Sequence, residues 1–247
     1  MAKQKHRGQH SNDPKLFTDK WIRVLNEAVA DLSWLWSRGY AEKSSITIVG
    51  DRHRLNVRQR KALRRAACSD ASLQYRKDHE LTVGDLKEQS IVIDGYNLLI
   101  TVEAGLAGGI VIHARDGTYR DIASIHGTYR RVEETMPALT MIGKTLQQLE
   151  VEKVYWLLDK PVSNSGRLKG IMYELSEQKG FDWDIELVNN PDRTLSELSN
   201  TISVSSDGWV LNHSEKWFNL HRYVVDTIPT AHILDLRGNN SIDSSAS

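Results

Sequence analysis

The chain has 247 residues, 40% of them hydrophobic and 26% charged, values that permit a globular core and suit one larger domain with a smaller one. A single cysteine, Cys68, excludes a disulfide framework or a multi-cysteine metal site and suits a reducing compartment; with neither an apolar signal core nor a run of ~20 apolar residues, a soluble, cytoplasmic protein with no membrane partner is expected. The formal charge is zero, yet residues 1–80 hold 17 basic against 9 acidic side chains and the remainder 15 against 23, which suggests two parts with different work.

In chain order, Asn12 or Asp13 before Pro14 marks a helix entry. Phe17, Trp21, Leu25, Ala28, Leu32, Leu35 and Trp36 then recur every three or four residues and predict an amphipathic helix ending near Gly39. The stretch SITIVG (45–50) alternates like a short strand, and a helix is expected from about Asn56 to Ala67. On that helix Arg58, Arg60, Lys61, Arg64 and Arg65 fall within an arc of about 160°, with Arg54 just before it. Arg60–Arg64 and Lys61–Arg65 are like-charged neighbours one turn apart, each slightly unfavourable. A helix that accepts this suggests a polyanionic partner such as nucleic acid. The competing reading is a solvated face, or pairing with the acidic second part. No aromatic residue is interleaved on this helix to stack bases, and Trp21, Trp34 and Trp36 read as core.

From residue 90 the pattern becomes strand alternating with helix. Strands are expected at 90–94, 153–158, 182–188, 201–205 and 231–236, and helices at about 128–150, 165–179, 193–200 and 214–225. A hairpin turning at Asp116-Gly117 interrupts this order over 110–124. The tail 239–247 is small and polar and is expected to be disordered. The sum is an α/β fold: a mainly parallel sheet sandwiched by helices over 85–238, preceded by a small, mostly helical basic domain over 1–80.

Four strand ends or near-ends carry an aspartate: Asp94, Asp159, Asp192 and Asp207. C-terminal strand ends of an open parallel sheet share the edge where ligands bind. Each Asp taken singly reads equally well as a helix N-cap, Asp192 most of all. Four together would repel one another unless a cation is present, and oxygen donors without Cys or a His cluster suit Mg²⁺ or Mn²⁺. Such ions clamp the attacking and leaving groups in phosphodiester cleavage. Glu103 is a possible further acid, whereas Asp116 and Asp121 read as turn and surface residues. Gly105, Gly108 and Gly109 do not form a dinucleotide fingerprint. Ser163, Asn164, Ser165 and Arg167, at the start of a helix, offer a phosphate seat or simply a well-made cap.

IVIDGYNLL (91–99) resembles the first strand of the NYN branch of the PIN-like nucleases, YWLLDKP (155–161) their second-strand Asp, and SVSSDGWVL (203–211) their fourth-strand Ser-Asp segment. The resemblance implies a PIN-like fold, catalytic roles for Asp94, Asn97, Asp159 and Asp207 with Asp192 as a further metal ligand, and RNA rather than DNA as substrate. NNPDRTL departs from the family's third acidic segment. HRGQHSNDPKLF, DLSWLWSRGY, VGDRHRLNVRQR and DKPVSNSGRL further resemble a two-part prokaryotic family that pairs domains of unknown function four-three-four and five-six-one-six. The expected function is therefore a metal-dependent ribonuclease whose basic N-terminal part holds RNA. A non-catalytic nucleic-acid-binding scaffold on the same fold and a small-substrate phosphohydrolase are the alternatives.

Overall fold

The computed structural model describes residues 6–123 and 129–238; the expected disordered tail and the start of the helix expected from 128 lie outside the described residues. The N-terminal region is helical: α1 (Asp13–Leu16), α2 (Asp19–Ser37), α3 (Glu42–Arg52), α4 (Val57–Ala66) and α5 (Asp70–His79). The single helix expected up to Gly39 is broken after Leu16, since Thr18 is extended (φ −74°, ψ 163°) and α2 restarts the chain. α4 begins in a capping box: Asn56 Oδ1 accepts from the Arg58 and Gln59 amides at 2.9 and 3.0 Å, and Gln59 Oε1 accepts from the Asn56 amide at 3.1 Å.

The strand expected at 45–50 is instead the middle of α3. Among the described residues no strand pairs with it; α3 packs on α2. Its hydroxyls fold back onto the helix, Ser45 Oγ donating to the Ala41 carbonyl at 2.9 Å and Thr47 Oγ1 to that of Lys43 at 3.0 Å. Ser45 and Val49, one turn apart, face inward while Ile48 is exposed, so the residues obey a period of 3.6 and not of two.

The second region opens with β1 (Ser90–Asp94) and α6 (Gly95–Leu106), followed by the expected hairpin, β2 (Ile110–His113) antiparallel to β3 (Tyr119–Asp121). Then come α7 (Thr135–Gln148), β4 (Lys153–Asp159), α8 (Ser165–Lys179), β5 (Trp183–Val188), α9 (Pro191–Glu197), β6 (Ile202–Val204), α10 (Gly208–Leu211), α11 (Leu220–Val225) and β7 (His232–Asp235). Four strands form one parallel sheet in the order β5-β4-β1-β6. The expected last strand does not join it; β7 pairs with β2 in a second sheet, β3-β2-β7.

Strand alternation sorts the core. Ile91, Ile93, Val154, Trp156 and Leu158 point into the main cluster under α6, α7 and α8, while Val92 and Leu157 point to the other face, against Leu195 of α9 and Val210 of α10. In β2, Val111 joins the main cluster, whereas Ile110 and Ile112 pack with Leu25, Leu32 and Leu63 of the N-terminal helices. α6 thus lies between two sheets, and ten of its twelve residues are buried, as its nearly unbroken apolar sequence demands. Among the described residues, no helix is long and apolar enough to cross a membrane.

Candidate functional site

β1 sits at the point where the chain changes direction across the sheet, with β4 on one side and β6 on the other. Crevices at such points, beyond the carboxyl ends of the strands, are where open α/β sheets bind ligands. Asp94 closes β1 on the same face as Val92, and Asp159 closes β4 on the same face as Leu157. That is the face covered by α9, whose first turn carries Asp192. Pairing of Ile93 with Val204 brings the residue after β6, Ser205, beside Asp94, and Ser205 Oγ donates to Asp94 Oδ2 at 3.1 Å.

Asp94 and Asp207 both also cap helices. Asp94 Oδ1 accepts from the Asn97 amide at 3.4 Å at the head of α6, and Asp207 Oδ1 accepts from the Trp209 amide at 2.8 Å at the head of α10. Asp192, expected as the purest cap, is not one: Asn190 caps α9, its side chain accepting from the Arg193 amide at 3.0 Å. Asp192 is left to face the other carboxylates. Asn97 points its side-chain oxygen at Ser206, accepting from the amide at 2.8 Å and the hydroxyl at 2.9 Å, so it ties the α6 start to the segment after β6.

The carboxylates are electrically linked. Asp94 is 6% exposed, and burial, then the charges of Asp192 and Asp207, push its pKa up to about 8 against the hydrogen bonds from Ser205 and Asn97. Asp192 is pushed up to about 6 by burial and by Asp207 and Asp159, with Arg65 opposing. Burial also raises Asp159, whose Oδ1 is buried without a hydrogen-bond partner. The nearby Tyr96 phenol is raised by burial and by Asp159, and its oxygen too lacks a partner. Among the described residues, no three His, Cys, Asp or Glu side chains form, as they stand, a group that could hold a metal ion. The donors are hard oxygens of like charge, a chemistry that suits a water-keeping divalent ion held by one or two carboxylates.

The basic helix faces this edge. Lys61, Arg64 and Arg65 line a cleft of about 670 Å³ together with Ser206 and Asp207. The other expected phosphate contacts are bound within the N-terminal region: Arg58 donates to Asp13 at 2.8 Å and Arg60 to Asp51 at 2.6 Å. Arg54 stands in the left-handed region (φ 53°) between α3 and α4. Glu103 is fully buried but contacts none of the four aspartates. It pairs with Arg7 and accepts from Tyr129 Oη at 2.5 Å and Thr135 Oγ1 at 2.6 Å. Ser163 and Ser165 serve the loop before α8: the Ser163 carbonyl accepts from the Tyr129 amide at 3.2 Å, and the buried Ser165 hydroxyl donates to the Lys160 carbonyl at 3.4 Å. Arg167 is exposed on α8.

Asp116 and Asp121 are not surface residues but 8% and 6% exposed. Asp116 takes two guanidinium groups: Arg120 donates to it at 2.6 and 2.9 Å, and Arg76 of α5 pairs with the same carboxylate. Arg120 also donates to the Ser206 carbonyl at 2.6 Å and Arg76 to that of Gly208 at 3.1 Å. This network had no sequence signal, since Arg76 is 40 residues from Asp116 in the chain, whereas Ser205 and Ser206 lay in the Ser-Asp segment before Asp207 without a role of their own.

The family model described as "Protein of unknown function (DUF434)" matches residues 24–79, and the one described as "Domain of unknown function (DUF5616)" matches residues 83–223. An uncharacterized protein of Methanocaldococcus jannaschii is 28% identical over 207 residues, covering 84% of this chain and 96% of its own. No solved structure matches the chain. With more than half of its length in the second match, the chain belongs to the family described as "Domain of unknown function (DUF5616)".

Proposed function

We propose that the protein is a metal-dependent nuclease on a PIN-like fold, hydrolysing phosphodiester bonds in RNA held between the basic helix α4 and the acidic sheet edge. One observation carries this reading: Asp94 and Asp192 are raised by burial and then by neighbouring carboxylates, Asp192 and Asp207 acting on the first and Asp207 and Asp159 on the second, a concentration of negative charge that a divalent cation relieves. The order β5-β4-β1-β6 and the position of the acids at the turning point of the sheet support it, as does the cationic wall across the cleft.

Asp94 and Asp159 would offer carboxylate oxygens from adjacent strands, Asp192 from the first turn of α9 and Asp207 from the cap of α10. A bound Mg²⁺ or Mn²⁺ would supply an activated water and neutralise charge on the scissile phosphate. Ser205 fixes Asp94 Oδ2, and Asn97 holds the segment carrying Asp207. Lys61, Arg64 and Arg65 would receive the flanking phosphates.

The test is incubation of labelled single-stranded and structured RNAs with Mg²⁺ or Mn²⁺, beside Asp94→Asn and Asp207→Asn. Metal-dependent cleavage that falls by about 100-fold or more in both variants is expected. No cleavage, or cleavage indifferent to both substitutions, overturns the assignment. Salt-sensitive RNA binding without cleavage would identify a binding scaffold, and hydrolysis of nucleotides without polymer binding a small-substrate phosphohydrolase.

A further inference from the structure

The aromatic residues missing from the basic helix are supplied by its neighbours. The cleft that holds Lys61, Arg64 and Arg65 is also lined by Trp36, by Tyr40 in the turn between α2 and α3, and by Trp209 of α10. Tyr40 is 56% and Trp209 59% exposed, which leaves an aromatic face of each open to a planar ligand. Trp209 is held in place: its amide donates to Asp207 Oδ1 at 2.8 Å, and its ring lies against His213, centroids 4.1 Å apart and planes 35° apart. The cleft's basic residues Lys61, Arg64 and Arg65 lie on α4, and Arg64 forms an exposed pair with Glu42 at 2.5 Å, the kind of contact a phosphate displaces readily. The two sides are tied together by Arg120, which donates to the Arg65 carbonyl of α4 at 3.1 Å and to the Ser206 carbonyl at 2.6 Å, while Arg76 of α5 reaches Gly208 and shares Asp116 with Arg120.

We propose that this cleft is a subsite for an unpaired nucleotide, its base stacked on Trp209 or Tyr40 and its phosphates on Arg64, Arg65 and Lys61. Stacking requires a free base face, which a duplex does not offer along its length. The subsite therefore selects single-stranded over double-stranded RNA, and is built from both halves of the chain. It rests on the nuclease reading for its role but not for its existence.

Fluorescence anisotropy in EDTA, with a short labelled single strand and the corresponding duplex, reads binding apart from cleavage. The single strand is expected to bind more tightly than the duplex. Trp209→Ala should weaken the single strand by about 5- to 100-fold, Trp209→Phe should retain most of the affinity, and Tyr40→Ala should weaken it by a smaller factor. Duplex binding should be indifferent to all three. Absent binding, or single-strand affinity unchanged in both alanine variants, or a duplex weakened equally, overturns the subsite. The same proteins assayed with Mn²⁺ separate the two claims. Cleavage that needs Asp94, together with single-strand affinity that ignores Trp209 and Tyr40, overturns the subsite alone. Stacking-dependent binding without cleavage supports the subsite and overturns the nuclease.

Discussion

Asp94 divides its two oxygens between two tasks, one capping α6 and the other receiving Ser205. Neither bond outweighs burial and the charges of Asp192 and Asp207, so its pKa stands at about 8 against about 4 in an unfolded chain. A carboxyl raised on folding binds its proton more tightly in the native state. Its contribution is complete below about pH 4 and is lost as pH climbs through about 8. In EDTA, wild-type stability should therefore fall across this window. Asp94→Asn, still a competent cap, should flatten the fall and be the more stable protein at about pH 8.5, by an amount on the order of a few kcal/mol. Thermal unfolding of both proteins at several pH values decides it, and a variant no more stable than wild type at alkaline pH contradicts the raised carboxyl. Divalent metal should lift the wild-type midpoint most at that same pH, where Asp94 is ionised.

At the level of elements, the start of α6 depends on Gly95. A Cβ there would lie 2.6 Å from Leu158 Cδ2 and 3.0 Å from the Leu157 carbonyl oxygen, because the helix leaves β1 directly over the end of β4. Gly95→Ala should cost about 1–3 kcal/mol, seen as a lower urea midpoint with an unchanged slope. Gly166→Ala, in α8 with nothing near its missing Cβ, should be neutral or stabilise by up to about 1 kcal/mol. A Gly95→Ala protein as stable as wild type would mean the crossing is looser than described. The strand ends at Asp94 and Asp159 were legible in the sequence because a buried parallel strand is a continuous apolar run, and the residue that ends it stands out. The short segment 45–50 was misread because six residues satisfy either period, and its Ser and Thr resemble strand formers until their hydroxyls find the preceding turn. Asp192 was misread as a cap because Asn190, two residues earlier and the cap in fact, cannot be told from it by composition. The helical wheel of α4 located its charges but not Asp13 or Asp51, which neutralise Arg58 and Arg60 from other elements. Likewise the pairing of β7 with β2 is a non-local choice that the strand pattern itself leaves open.

The molecule as a whole is joined at Asp116. The N-terminal helices share a hydrophobic cluster with β2 and β7, and the one carboxylate binds Arg76 from α5 and Arg120 from β3, all three buried. The two arginines then reach the backbone of Ser206 and Gly208 on either side of Asp207. Burial alone would raise the Asp116 carboxyl, but the two guanidinium groups hold it well below the usual range. Its contribution is accordingly present above about pH 4 and is lost only on strong acidification, opposite in sign to that of Asp94. Asp116→Asn keeps the shape and removes the charge, leaving two buried cations uncompensated, a change that costs about 3–5 kcal/mol when a buried pair is broken. Wild type should unfold in one transition, with tryptophan fluorescence and far-ultraviolet circular dichroism coincident. In Asp116→Asn the midpoint should drop and the two signals should separate as α2–α5 detach before the parallel sheet opens. The variant should also lose single-strand affinity, since the basic wall and Trp209 would no longer be held across one cleft. A variant that keeps a single, unshifted transition would show that the shared hydrophobic cluster holds the two regions together without the buried charges.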